Sequence, residues 1–303
     1  MKAPDSSSVG AVPFAIYSGM EELAEDYEGY VLDLWGVIHD GVTVFPGVID
    51  CLSRLRETGK RIVLLSNAPR RAYMIIEQLA AFGVSETLYD GIMSSGQEAY
   101  DHLAARDDPW YAGLGERCFH IGPERDMNML EGLSLQVMDK LSESQFILNT
   151  GPWDDGETVS DYEDTLSEGA RAKLPMICSN PDLEVVRGGV RMICAGALAR
   201  RYEELGGEVH FHGKPDKKIY ESCFRCLGIA NHSRILAVGD SLHTDIAGAE
   251  NAGIDSLLVT DGLHGEEIGL ARGEMPDPVR LAKFCKVAGH FPNGAITSFR
   301  WKG

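Results

Sequence analysis

Asp33 sits near the end of a short apolar run, Tyr30 to Leu34, and is followed by the loop Trp35-Gly36-Val37-Ile38-His39-Asp40-Gly41. A carboxylate delivered at a strand end can serve as a nucleophile or as a ligand for a hard cation. A turn or cap aspartate is the plainer alternative. Three further segments have the same form. Ser66 and Asn67 follow the run Arg61–Leu65 and offer a hydroxyl and an amide ahead of a helix. Such groups can hold phosphate oxygens together with backbone N–H groups, or simply cap the helix. In His212-Gly213-Lys214-Pro215, a lysine precedes a proline-initiated helix and can bring a point charge to a phosphate. The fourth segment, Val238-Gly239-Asp240-Ser241-Leu242-His243-Thr244-Asp245, holds two carboxylates five residues apart after a glycine turn. That arrangement suits Mg²⁺, which takes few carboxylates and completes its shell with phosphate oxygens and water.

The surrounding elements make convergence of these loops plausible in physical terms. Tyr30–Leu34, Arg61–Leu65, Glu208–Phe211, Arg234–Val238 and Ser256–Val259 are short, continuous apolar runs. They alternate with helical stretches at 47–56, 70–82, 215–227 and 244–252, where apolar residues such as Val48, Leu52 and Leu55 fall on one stripe. This β-α-β-α order predicts a parallel sheet covered on both faces. Ligands of such sheets lie along the carboxyl edge of the strands, where all four loops would lie. The texture changes between residues 95 and 194. Strand candidates at Cys118–Ile121, Leu135–Met138, Gln145–Asn149 and Met176–Cys178 suggest a second α/β unit inserted into the first. The expected fold class is therefore α/β, a Rossmann-like doubly wound parallel sheet over 1–94 and 195–303 with an inserted α/β domain over 95–194.

Composition sets limits. The chain has 303 residues, 44% hydrophobic and 24% charged, the usual globular mix. Its formal net charge of −18 disfavours nucleic acid and anionic membranes as partners. It also means that an anionic substrate needs local positive charge. No apolar run reaches the ~20 residues of a membrane helix, and residues 1–13 lack a basic end followed by an apolar stretch, so no secretory signal is expected. The seven cysteines are scattered. The single C-x-x-C, Cys223 and Cys226, falls in a helical stretch without a second pair to complete a zinc site. Reduced thiols and a cytoplasmic address are the default expectation.

In order, spacing and strand context, the four segments resemble the motifs of the haloacid dehalogenase-like (HAD) superfamily, and the likeness covers nearly the whole chain. It looks closest to class IIA, which includes NagD-like and 4-nitrophenylphosphatase-like hydrolases and carries a large α/β cap (C2 type) between the second and third motifs. Asn180-Pro181-Asp182 resembles the N-P-D of that group, although Asn-Pro also marks a plain turn. Ala195-Gly196-Ala197 resembles the re-entry into the core. The resemblance implies a Mg²⁺-dependent phosphatase of small phosphorylated metabolites, working through an aspartyl-phosphate. Asp33 would be nucleophile and metal ligand. The backbone carbonyl of Trp35 and the carboxylate of Asp240 would be further ligands. Asp245 would act through water or as a partner of Lys214. Ser66, Asn67 and Lys214 would hold the phosphoryl oxygens. Asn180, Asp182 and Arg187 are candidate substrate contacts from the cap, and relatives of this class often pair as homodimers through their caps.

One position departs from the pattern. Phosphatases of the superfamily read D-x-D, the second Asp protonating the leaving group, and here that residue is Trp35. An indole N–H is a donor without acid strength, and general acid catalysis is worth ~10²–10⁴-fold. Several outcomes stay open: substrates with good leaving groups; a substitute acid among His39, Asp40 and His243; a catalytically weak or inactive protein that binds a phosphorylated ligand in a regulatory role; or other HAD chemistry such as C–halogen or C–P cleavage.

Overall fold

The structure is a computed structural model and describes residues 14–106, 108–187, 190–271 and 273–303. Its strands, in chain order, are β1 (Ala15–Tyr17), β2 (Gly29–Asp33), β3 (Arg61–Ser66), β4 (Gly91–Ser94), β5 (Arg117–Ile121), β6 (Gln136–Val137), β7 (Phe146–Asn149), β8 (Met176–Cys178), β9 (Glu184–Arg187), β10 (Val190–Ile193), β11 (Val209–Phe211), β12 (Ile235–Gly239), β13 (Asp255–Val259) and β14 (Gly294–Ile296). Two compact units emerge. One contains the described residues up to Ser66, Ile76–Met93 and Lys214–Gly303; the other contains Asn67–Ile75 and Ser94–Gly213.

The first unit is built on a seven-stranded sheet of order β1-β14-β13-β12-β2-β3-β4. β12, β2 and β3 run parallel, with Val238 opposite Leu32 and Asp33 opposite Leu65. β2 and β12 are buried along their whole length, as expected of strands with helices on both faces. Helix Lys217–Leu227 covers one face, seating Ile219, Tyr220, Cys223 and Phe224 against Val31, Val63, Leu65 and Ala237. Each fully buried side chain of this size contributes about 1.5–3 kcal/mol. The helix ends at Gly228, whose φ of +66° closes it in the left-handed conformation. Another cluster gathers Leu242, Ile246, Leu258, Leu281 and Cys285. The chain steps outward from β2 to β3 on one side and returns beside β2 through β12 on the other. This reversal of strand order opens a crevice at the carboxyl ends of β2 and β12.

The second unit holds a parallel five-stranded sheet, β11-β8-β7-β5-β6, and the antiparallel pair β9-β10. Two expectations need correction here. Glu208–Phe211 does not join the large sheet, because Val209, His210 and Phe211 pair with Met176, Ile177 and Cys178. Nor does the core resume at Ala195. Helix Ala195–Glu204 packs Ala195, Leu198, Ala199 and Tyr202 into the apolar cluster of the second unit, with Ile147, Met176 and Leu166. The inserted unit therefore runs to Gly213 rather than 194 and also claims Asn67–Ile75. Burial of one helix stripe and ladder pairing of one strand place those residues, and neither was visible in local patterning. Among the described residues, no helix is long and apolar enough to cross a membrane.

Candidate active site

Asp33 is the last residue of β2, and Asp240 follows the last residue of β12. Because the two strands are adjacent and parallel, their carboxylates emerge at the same edge. Asp245 reaches the same place by a different route. The segment Leu242–Ile246 is a wide helical turn in which the Ile246 N–H bonds the Ser241 carbonyl at 3.1 Å, an i→i+5 bond. Such π-type turns re-aim side chains at functional sites. The Ser241 N–H donates to Asp245 Oδ2 at 3.2 Å, and the Tyr220 hydroxyl to the Asp245 carbonyl at 3.1 Å. One carboxylate oxygen from each of Asp33, Asp240 and Asp245 lies within 4.8 Å of the others, and all three residues are buried.

Lys214 completes the group. Its Nζ donates to Asp33 Oδ1 at 2.6 Å and to Asp245 Oδ1 at 2.7 Å, with only 3% of the side chain exposed. Three carboxylates share this buried place with the Lys214 ammonium. The effect shows in Asp33. Burial and the Asp245 carboxylate push its carboxyl well above the ordinary range, Lys214 pulls it back, and Asp240 adds to the upward push. A divalent cation would relieve that stress.

The residues fit such an ion. All three groups are hard oxygen donors, the ligand type that Mg²⁺ takes. Space around Asp240 is kept by glycine. A Cβ on Gly36, whose φ is +80°, would stand 1.9 Å from Asp240 Oδ2, and one on Gly262 would stand 2.3 Å from the same oxygen. The Leu263 N–H fixes that oxygen at 2.7 Å. Gly262 and Leu263 were not singled out in the sequence; the turn Thr260-Asp261-Gly262 after an apolar run is the only local signal.

Ser66 ends β3, one residue beyond the partner of Asp33, and is buried. Asn67, Asn180 and Asp182 meet in the second unit: Asn67 Nδ2 donates to Asp182 Oδ1 at 2.8 Å, and the Asp182 N–H to Asn180 Oδ1 at 3.0 Å. The N-P-D segment is thus an Asx-type turn that holds the second-motif asparagine. Arg187 is exposed at the end of β9, 3.8 Å from Asp155.

The candidate acids fare unequally. Asp40 accepts from the Val42 and Thr43 N–H groups at 2.9 and 2.8 Å, and these bonds hold its carboxyl below the ordinary range despite some burial. It is a loop cap and is ionised at neutral pH. His39 is buried and its Nδ1 accepts from the Gly41 N–H at 3.0 Å, which leaves the proton of the neutral ring on Nε2. His243 keeps an exposed edge and lies edge-on to His264 and His290; partial burial of its ring, with those neighbours, lowers its pKa. Trp35 is half-buried and lies over Gly41, where an added Cβ would stand 2.2 Å from the indole, and edge-on to His39 at 5.5 Å.

A family model described as haloacid dehalogenase-like hydrolase matches residues 30–136, and a second, HAD-hydrolase-like, matches 211–282. A hydrolase of the haloacid dehalogenase-like family from Brucella suis 1330, known from its crystal structure, is 33% identical, with a TM-score of 0.80 over 94% of this chain and 100% of that one. The chain belongs to the haloacid dehalogenase-like family. It is a hydrolase of that family, and its likeness to NagD places it in class IIA. Phosphoglycolate phosphatase 2 of Arabidopsis thaliana is 26% identical over 300 residues, covering 86% of this chain and 92% of the relative. Ribonucleotide monophosphatase NagD of Escherichia coli K12 is 25% identical over 238 residues, covering 77% and 87%.

Proposed function

We propose that this HAD hydrolase is a Mg²⁺-dependent phosphatase of small phosphorylated metabolites, acting in the cytoplasm through an aspartyl-phosphate on Asp33, with the inserted unit as its cap. The observation that carries the reading is the buried cluster of Asp33, Asp240, Asp245 and Lys214 at the switch point of the sheet. Its phosphatase relatives add support.

In this reading Asp33, Asp240 and the backbone carbonyl of Trp35 would hold the ion, and Asp245, which fixes Lys214, would assist through water. When bound, the cation would supply neutralisation of charge on the phosphoryl oxygens. Lys214 and the cation together would keep Asp33 ionised, and with Ser66 and Asn67 the lysine orients the phosphoryl group. One Asp33 oxygen attacks phosphorus, the P–O bond to the leaving group breaks, and the electron pair departs with that oxygen. Water then cleaves the aspartyl-phosphate to free phosphate and restores the carboxylate. Most of the barrier reduction in phosphoryl transfer comes from such positioning and charge neutralisation. Trp35 supplies no proton, so unassisted departure favours esters of acidic alcohols and phenols.

The test is hydrolysis of 4-nitrophenyl phosphate and a panel of phosphorylated metabolites with MgCl₂. Turnover should fall at least ~10³-fold in Asp33→Asn with folding unchanged. Wild-type rates no higher than those of the variant, together with thermal stabilisation by a phosphorylated metabolite, would favour a binding protein instead.

A further inference from the structure

The two residues that precede Lys214 are held by a polar network confined to the second unit. Glu98, on helix Ser95–Ala105, accepts through Oε2 from the Gly213 N–H at 3.0 Å and from His212 Nδ1 at 3.1 Å. A carboxylate only accepts, so Nδ1 of His212 carries its hydrogen. Nε2 on the other side of the ring meets the hydroxyl of Tyr111. The Ser95 hydroxyl donates to the His212 carbonyl at 2.7 Å. Tyr111, His212 and Ser95 are almost completely buried. Burial alone would raise the Glu98 carboxyl; the hydrogen bond and charge of His212 and the Gly213 N–H bring it below the ordinary range instead. Gly213 has no freedom to adjust. Its φ is +98°, and an added Cβ would stand 2.5 Å from Asn67 Oδ1 and 2.9 Å from the Ser95 side chain.

We propose that Glu98 is a positioning residue for Lys214: it fixes the backbone from which the lysine reaches toward Asp33 and Asp245. The role of Lys214 toward phosphate rests on the phosphatase reading above. The physical need is clear. A lysine ammonium rides on four rotatable carbons, and sites of this kind tolerate errors of only about 0.5 Å. The peptide group between His212 and Gly213, which leads into Lys214, is pinned at both ends, its carbonyl by Ser95 and its N–H by Glu98. His212 buttresses the carboxylate, and Tyr111 buttresses the imidazole. No sequence motif flagged Glu98, which lies 116 residues before Lys214.

A double-mutant cycle separates positioning from general structural support. Glu98→Ala, Glu98→Gln, Lys214→Ala and Glu98→Ala/Lys214→Ala are compared in the full-length protein with MgCl₂. The readouts are inorganic phosphate affinity by calorimetry and 4-nitrophenyl phosphate turnover. Glu98→Ala should weaken phosphate affinity and raise KM about tenfold, and Glu98→Gln, which keeps an acceptor oxygen, should recover most of it. The double variant should be no worse than Lys214→Ala alone. Losses that multiply, or phosphate affinity in folded Glu98→Ala within about twofold of wild type, would overturn the proposal. If Glu98→Ala does not fold, Glu98→Asp, whose carboxylate is drawn back by one methylene, carries the same cycle, with a loss expected in the wild-type background and none beyond Lys214→Ala. A wild type with neither turnover nor phosphate affinity overturns the phosphatase reading and this proposal together. An active wild type with multiplying losses overturns the positioning role alone.

Discussion

At the scale of single residues, Trp35 decides how the proposed chemistry can run. Its indole packs over Gly41 and edge-on to His39, so it is built into the loop. Trp35→Asp would place a carboxyl where HAD phosphatases carry their acid, at a cost in packing of about 1–2 kcal/mol for a half-buried aromatic. We expect the variant to hydrolyse alkyl phosphates at least tenfold faster, within the range typical of general acid catalysis, while 4-nitrophenyl phosphate changes little because its leaving group needs no proton. Steady-state rates on paired alkyl and aryl substrates check this. An unchanged alkyl-to-aryl ratio in a folded variant would mean that proton donation is not what limits the enzyme.

At the scale of elements, the carboxyl edge of the second unit's sheet stores two perturbed groups of opposite sign. His120, in β5, bonds Thr150 Oγ1 at 2.9 Å, and burial lowers its pKa to about 4. Asp126, in the turn after β5, is raised to about 6 by burial, although Arg70 and Arg125 oppose the shift. The native state binds fewer protons at His120 than the unfolded chain does below pH 6.5, so this residue's contribution falls as pH drops from 6.5 to 4. The native state binds more protons at Asp126 between pH 4 and 6, so that contribution grows as pH drops. The two slopes oppose each other, so the contributions of these two residues should largely cancel across the window. His120→Gln should unmask the aspartate. Relative to wild type, the variant should gain up to about 3 kcal/mol as pH falls from 6.5 to 4, at ~1.4 kcal/mol per pK unit. Denaturant melts at a series of pH values read this directly, and parallel profiles for the two proteins would contradict it.

At the scale of the whole molecule, the charge balance of the site ties stability to metal. Asp33, Asp240 and Asp245 repel one another in a buried place with one lysine between them. Saturating Mg²⁺ should therefore stabilise the fold by about 2–3 kcal/mol at a hundredfold excess over Kd, seen as a rise of several degrees in Tm that EDTA reverses. Asp240→Asn should raise the metal-free Tm, because a like charge is gone, and abolish the Mg²⁺ increment. An increment that survives in this variant would place the ion elsewhere.

Read alone, the sequence determined the type of sheet and the edge at which its chemistry sits. Tyr30–Leu34, Arg61–Leu65 and Arg234–Val238 are continuous apolar runs of strand length, and in alternation with helical stretches such runs read as strands buried on both faces. Asp33, Ser66 and Asp240 at their ends followed from that. Only tertiary structure decided the rest. Local pattern could not say which sheet Val209–Phe211 joins, because a three-residue strand pairs wherever a free ladder edge lies, and here that edge is β8. Nor could it separate Asn180 and Asp182 as ligands from Asn180 and Asp182 as the turn that grips Asn67, since both uses need the same polar groups. The meeting of Lys214 with Asp33 and Asp245, and the hold of Glu98 on Gly213, depend on packing between segments far apart in the chain. No local periodicity encodes such distances.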